Sequence, residues 1–190
     1  MSQSIDLVEV QKPQYIKELG TVDVAALKKL VDRVSEEVWN KENATKENDF
    51  FCFHHTRHIV FRFIEGQRYH RNFYSNPIWK VWQMMLLPIM KKMVEPYGFR
   101  QPEFPKVMLA RLEAGHVIDR HVDGAGANLH THKIHIPLQT NEKALFHIDD
   151  KSFNLKEGVG YEVNNIIPHG VENYGDEDRI HLIFEVFESD

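Results

Sequence analysis

The feature that most limits the fold of this chain is a series of short runs in which β-branched and aromatic residues recur at every second position. They are Ile59–Ile64, Lys106–Leu112, Lys133–Leu138, Lys143–Ile148, Val159–Val163 and Arg179–Phe187. Alternation with period two marks a strand with one buried face, because successive side chains leave an extended backbone on opposite sides. Several such runs, separated by turns such as Asp123-Gly124 and Tyr174-Gly175-Asp176, predict an antiparallel sandwich or barrel. In a closed sheet alternate side chains converge on one cavity, so polar residues distant in sequence can build a site.

Two earlier segments follow the helical period. Val24, Leu27, Leu30, Val31, Val34 and Val38 predict one helix over Val24–Trp39, with Asp23 as its N-cap. Pro77–Glu95 predicts a second helix, or two joined at Pro88, closed by Pro96 and Gly98. Its Trp79, Trp82 and Met85 are read as a face packed on the core rather than a cofactor box. No repeat, low-complexity segment or Gly/Ser/Pro-rich linker divides the 190 residues. The expectation is therefore a single domain, 1–190, with helical support and the first strands in 1–100 and a β-rich core in 101–190.

Composition excludes several function classes. A net charge of −5 without a long Lys/Arg run argues against a generic nucleic-acid binder. Cys52 is the only cysteine, so no intramolecular disulfide and no Cys-based zinc site can form. The longest apolar stretch, Met84–Met90, is interrupted by Pro88 and is too short to cross a bilayer. The start, MSQSIDLVEV, lacks a basic n-region followed by an apolar h-region. The reading is a cytoplasmic protein with no membrane partner. The positive signal is histidine, with 12 in the chain, most of them from His116 onward.

Among these, His121-Val122-Asp123 stands out. On an extended backbone residues i and i+2 share a face, so one imidazole and one carboxylate can bind a single ion. His169, in Pro168-His169-Gly170, is the best candidate for a third ligand. Two His and one carboxylate leave open positions on a metal, the arrangement of non-haem Fe(II) oxygenases. The bare pattern also fits histidines that only make hydrogen bonds. Arg179 opens the last strand and shares a face with His181 and Ile183, while Ile180, Leu182 and Phe184 share the other. An Arg facing a barrel interior needs an anion. That anion is either a protein carboxylate or a dicarboxylate ligand held by the guanidinium fork.

The segments E-A-G-H-V-I-D-R-H-V-D (113–123), K-I-H-I-P-L (133–138), E-G (157–158), P-H-G-V (168–171) and R-I-H-L-I-F (179–184) together resemble a known family. It is the aspartyl/asparaginyl β-hydroxylases, within the Fe(II)- and 2-oxoglutarate-dependent oxygenases. The likeness extends to related small enzymes that hydroxylate free amino acids such as proline. It covers Leu109 to Glu188, and the ten-residue gap between His169 and Arg179 is part of it.

The resemblance implies a mainly β fold, a double-stranded β-helix (jelly-roll, cupin-like) with N-terminal helices. It makes His121 and His169, with Asp123, ligands of Fe(II), and Arg179 the partner of the 2-oxoglutarate distal carboxylate. Lys133 falls where peptidyl aspartyl hydroxylases carry an Arg on the same co-substrate, and His135 falls on a co-substrate-contacting His. A co-substrate-binding Ser of the family falls at Ala110, so that contact is absent. Asp123 is kept by the amino acid hydroxylases and is Gly in the animal peptidyl enzymes. Gly124-Ala125-Gly126 reads as an inserted loop beside the site. The implied activity is an O2-consuming dioxygenase, hydroxylating an amino acid that is free or an aspartyl/asparaginyl residue of a peptide. Arg57, Arg62, Arg111 and Arg120 are candidate cations for such a substrate.

Other readings stay open at this level. His130, His132 and His169 could form a cupin-type metal site of an isomerase or sugar-binding module, although no glutamate follows His132 at the usual short distance. A non-catalytic jelly-roll interaction domain would leave the histidines at the surface. His54, His55 and His58, around Arg57, fit no complete site and are read as surface or hydrogen-bonded. Tyr161, Asn164 and Asn165 precede His169 and are candidates for shaping the pocket.

Overall fold

Alternating apolar and polar positions give strands that must bury one face each, and they do so in two antiparallel sheets. A computed structural model describes residues 8–189; most of MSQSIDLVEV lies outside them. In chain order the elements are β1 (Ile16–Thr21), α1 (Ala25–Val31), α2 (Glu36–Ala44), β2 (Thr56–Ile64), β3 (Phe73–Ser75) and α3 (Trp79–Val94). There follow β4 (Pro102–Leu112), β5 (His116–His121), β6 (His132–Gln139), β7 (Ala144–Ile148), β8 (Lys151–Phe153), β9 (Val159–Val163), β10 (His169–Asn173) and β11 (Arg179–Glu188). The larger sheet has the order β1-β9-β6-β11-β4-β2-β3, and the smaller β5-β10-β7-β8. From β4 onward the chain passes back and forth between them, which is the double-stranded β-helix, or jelly-roll. No described helix is long and apolar enough to cross a membrane.

The register of β11 sets the main core. Leu182 pairs with Leu109 of β4 and with Ile136 of β6. These side chains, with Ile180, Phe184, Val107 and Ile134, face outward and bury Leu27 of α1 and Trp82, Leu86 and Met90 of α3. Full burial of each such side chain stabilises by roughly 1.5–3 kcal/mol. A second cluster, including Leu112, Ile118, Phe146, Ile148 and Val171, fills one end of the space between the sheets. In β2 a register shift between Val60 and Arg62 reverses the alternation. As a result Phe61 faces the helices and Phe63 faces the space between the sheets.

The helix expected over Val24–Trp39 is two helices, α1 and α2. The break has a local cause. The Ser35 hydroxyl accepts from the Val38 N–H at 3.4 Å, and Glu36 and Glu37 occupy the first turn of α2, where the helix dipole favours acids. Asp23 accepts from the Ala25 N–H at 2.9 Å, but Val24 holds the N-cap position itself. α3 runs through Pro88 as one helix. Pro88 lies on the exposed side, where water can satisfy the carbonyl that loses its N–H partner. The helix ends in a tight turn at Glu95–Tyr97 followed by Gly98, whose φ of 68° is left-handed. Trp79, Trp82, Met90 and Met93 are buried on the sheet, so this face is core. The alternation rule overlooks β1, β3, β5, β8 and β10, which are short or carry polar residues on both faces.

Candidate metal centre

The smaller sheet brings two histidines together. β10 pairs with β5 in a register that sets His169 opposite His121, with ring centroids 4.4 Å apart. β5 ends at His121, so strand alternation alone does not position Asp123. The chain is turned back there by the Asp123 N–H, which donates to the Asn165 carbonyl at 3.0 Å. Asp123 Oδ1 then lies 3.7 Å from His121 Nε2 and 4.0 Å from His169 Nε2. One donor atom from each of the three residues lies within 4.8 Å of the others.

The histidines are held in one tautomer. Nδ1 of His121 is 2.7 Å from the Asp119 carbonyl, and Nδ1 of His169 is 2.9 Å from the Ile167 carbonyl. A carbonyl can only accept, so each Nδ1 carries the proton and each Nε2 presents a lone pair toward Asp123. Burial pushes His169 down to about 4, with Asp123 opposing, so its imidazole is neutral at physiological pH.

Asp123 is oriented from its other oxygen. Oδ2 accepts from the Lys133 ammonium and, at 3.0 Å, from Asn165 Nδ2. Burial by itself would raise this carboxyl. Lys133, His169 and Lys106 more than cancel that and hold it well below the usual carboxylate range. Lys133 in turn loses by burial and gains more from Asp123 and Glu185, so its ammonium is held above its ordinary value. Asn165 is fully buried and also donates to Asn128 Oδ1 at 3.1 Å. Of the three residues flagged before His169, Asn165 shapes the site directly. Asn164 is turned to the Pro13 carbonyl.

These groups open on a cavity of about 470 Å³ between the sheets. Its floor is the inward face of the larger sheet. Arg179 lies at one end, 4% exposed. Its Nη2 donates to His181 Nδ1 at 2.9 Å, and no carboxylate among the described residues pairs with it. Burial pushes the guanidinium down to about 9, still protonated at neutral pH. Nearby cavity-lining groups are also short of partners: Thr56 Oγ1, His58 Nδ1 and both ring nitrogens of His135. Burial holds His135 well below the ordinary histidine value. Elsewhere on the wall Lys106 is paired with the buried Glu185 at 2.8 Å, beside Phe63, Met108 and Ile183.

Lys133 stands on the cavity wall with its ammonium on Asp123 Oδ2. Other expectations meet a different outcome. The cupin-type set is not assembled. His132 turns to the outer face and bonds Glu162 at 2.6 Å, and His130 bonds the Val8 carbonyl and stacks on His70. The candidate substrate arginines do not line the cavity. Arg57 pairs with Glu36 and Glu113, Arg111 with Glu36 over the Trp39 ring, and Arg62 stacks on Phe73. Arg120 lies 3.8 Å from Asp149 at the surface. His58 is buried and cavity-lining, unlike His54 and His55. Sequence reasoning missed the Lys106–Glu185 pair, although both residues sit at inward positions of predicted strands.

The donor set fits an Fe(II)-type ion. Two imidazoles of fixed tautomer and one carboxylate converge from one side, and the cavity lies on the other. A buried guanidinium with no carboxylate partner among the described residues fits the carboxylate of a small acid. A model of the family described as aspartyl/asparaginyl beta-hydroxylase matches residues 72–189. A search of curated proteins finds no match. Among solved structures, a 2OG-Fe(II) oxygenase family oxidoreductase from Burkholderia pseudomallei has a TM-score of 0.52 at 12% identity, covering 70% of this chain and 68% of that one. The viral collagen prolyl hydroxylase of Paramecium Bursaria Chlorella virus-1, in its 2OG complex, has a TM-score of 0.51 at 10% identity, covering 91% and 96%. At such identities the two structures speak for the fold. The family match spans well over half of the sequence, and by it this chain belongs to the aspartyl/asparaginyl β-hydroxylase family.

Proposed function

We propose that this protein is an Fe(II)- and 2-oxoglutarate-dependent dioxygenase that hydroxylates an amino acid, free or as an aspartyl/asparaginyl residue of a peptide, in the cytoplasm. The observation that carries the reading is that one cavity holds both the His121, Asp123 and His169 donors and the anion-free Arg179. His121 Nε2, His169 Nε2 and Asp123 Oδ1 are the atoms that would hold the iron. Arg179 would take the distal carboxylate of 2-oxoglutarate. His135 and Lys133, on the inward face of β6, would complete the co-substrate's surroundings. When bound, iron and 2-oxoglutarate would supply the oxidising power, by which O2, 2-oxoglutarate and a substrate C–H bond become succinate, carbon dioxide and a C–OH group, with one oxygen atom in succinate and one in the hydroxyl.

The chain's own residues bind, orient and exclude. The Asp119 and Ile167 carbonyls keep the two imidazoles in the ligating tautomer. Lys133 and Asn165 occupy Asp123 Oδ2 and leave Oδ1 turned to the histidines. Phe63, Met108 and Ile183 give the cavity an apolar wall beside Lys106. No side chain has to act as a general base.

An anaerobic titration with Fe(II) and 2-oxoglutarate tests the reading. The wild-type chain should develop the visible metal-to-ligand charge-transfer band, and His169→Ala should not. Succinate release is then compared across free amino acids, Asp/Asn peptides and unrelated acids. Absence of the band in wild type would remove the oxygenase reading. Turnover stimulated by no amino acid or peptide would remove the substrate class alone.

A further inference from the structure

A second group of ligating side chains gathers outside the cavity, where the turn between β4 and β5 meets the start of β2. One donor atom from each of His55, Glu113 and His116 lies within 4.8 Å of the others. The His55 and His116 rings are 3.8 Å apart between centroids, and the His54 and His55 rings 4.1 Å. All three prospective ligands are half-buried.

The main chain and one ion pair hold these groups in ligating orientation. His116 Nδ1 is 2.9 Å from the Ala114 carbonyl, so it carries the proton and leaves the Nε2 lone pair free. This is the device seen at His121 and His169. Glu113 Oε1 is taken by Arg57 Nη2 at 2.8 Å, and Oε2 is turned to within 3.9 Å of His55 Nδ1. The Glu113 N–H donates to the His55 carbonyl at 3.3 Å, which ties the two segments together. The turn is pinned from below by the Gly115 N–H on the Asn173 carbonyl at 2.8 Å. Two imidazoles and a single carboxylate make a borderline donor set, suited to Zn(II) and poorly suited to Ca(II) or Mg(II).

Its place in the fold gives such a site a consequence. His116 and His121 are the two ends of β5, so the two groups of ligands are separated by roughly 17 Å at about 3.3 Å per residue. His55 follows closely on the single turn Phe51–Phe53. Cys52 and Phe53 of that turn line the cavity. The Phe53 ring stands edge-on to His121 at 5.3 Å and to His58 at 5.5 Å. We propose that His55, Glu113 and His116 form a second divalent-cation site, of Zn(II) type with water in its remaining positions, which clamps the Phe51–Phe53 turn against the cavity wall.

The test is a Zn(II) titration of the untagged full chain against a chromophoric chelator, with hydrogen exchange as a second readout. The His121→Ala/His169→Ala double variant removes the cavity's own ligands and should still bind one Zn(II). Adding His55→Ala or His116→Ala to it should abolish that binding, and Glu113→Gln should weaken it at least tenfold. Zn(II) should slow exchange of the amides of residues 50–55 in the double variant and leave them unchanged once His55 is gone. A thermal melt without metal, unshifted by these substitutions, separates lost binding from lost fold. No Zn(II) bound by the double variant, or binding indifferent to His55→Ala and His116→Ala, would overturn the proposal.

Discussion

On the outward face of the larger sheet, Val107, Leu109, Ile134, Ile136, Leu182 and Phe184 are completely buried beneath α1 and α3. On the inward face of the same strands stand Lys106, His135, Arg179, His181 and Glu185, almost as deeply buried. Burial of the first set is favourable in itself. Burial of the second costs desolvation, and pairing offsets it only in part. Lys106 has Glu185 and Lys133 has Asp123. His135, His58 and Thr56 retain buried polar atoms with no hydrogen-bond partner, and Arg179 has His181 but no carboxylate among the described residues. One sheet thus carries stability on one side and an unfinished polar surface on the other. Under the proposed function, iron and 2-oxoglutarate would complete that surface.

The largest effect on stability should come from the outward face. Phe184→Ala removes a fully buried ring and should cost about 3–5 kcal/mol of unfolding free energy, measured by urea denaturation. At low temperature its Fe(II) titration should match wild type. A loss under about 1 kcal/mol would break the contrast between the faces.

Arg179→Leu is the mirror experiment. Losing a charge-assisted contact in a dry cavity should weaken 2-oxoglutarate binding by about 2–5 kcal/mol, or roughly thirtyfold to several thousandfold. Stability should stay level or rise, because a buried cation without an anion is removed. A fall in stability with unchanged 2-oxoglutarate affinity would make Arg179 a structural residue.

The inward face should also make the fold acid-sensitive. Burial, with Lys46 and Lys133, pushes His58 down to about 3 from an ordinary 6.5. Between those values the unfolded chain binds a proton that the folded chain refuses. This contribution to stability therefore falls as pH drops from 6.5 toward 3, by about 2 kcal/mol at pH 5. His58→Leu should flatten the change in urea midpoint between pH 7 and pH 5. An equal slope in the variant would assign the acid sensitivity elsewhere.

The finest comparison uses two neighbours on β6. Ile136→Val, facing outward, should lose about 1 kcal/mol. His135→Leu, facing inward with both ring nitrogens unpartnered, should gain on the order of 1 kcal/mol while weakening 2-oxoglutarate binding. Denaturant midpoints decide the first pair of signs, and the co-substrate titration decides the last.

Much of the larger sheet was legible because its strands alternate strictly. In β11, Ile180, Leu182 and Phe184 fall on the outward face and Arg179 and Ile183 on the cavity, as period two requires. The ligand-bearing strands β5 and β10 were harder to see. Their short stretches, His-Val-Ile-Asp-Arg-His and His-Gly-Val-Glu-Asn, mix polar and apolar residues on both faces. The split between α1 and α2 depended on one capping hydroxyl, which competed with a helical apolar pattern running straight across it.

By itself the sequence marked the candidate ligands, an antiparallel sandwich or barrel and the side of each long strand, because residue type and a period of two are local properties; the jelly-roll class came from the family resemblance. Tertiary structure alone decided which charges are matched. His121 meets His169 through the register of β5 on β10, and Asp123 joins them because the Asn165 carbonyl turns the chain back. Lys133 is claimed by Asp123, while Arg57 and Arg111 are claimed by acids outside the cavity. Among the described residues Arg179 is left without a carboxylate, and no local pattern could reveal this. Whether a buried charge is satisfied depends on the few ångströms around it, which strands distant in sequence fill only once the sheets have closed.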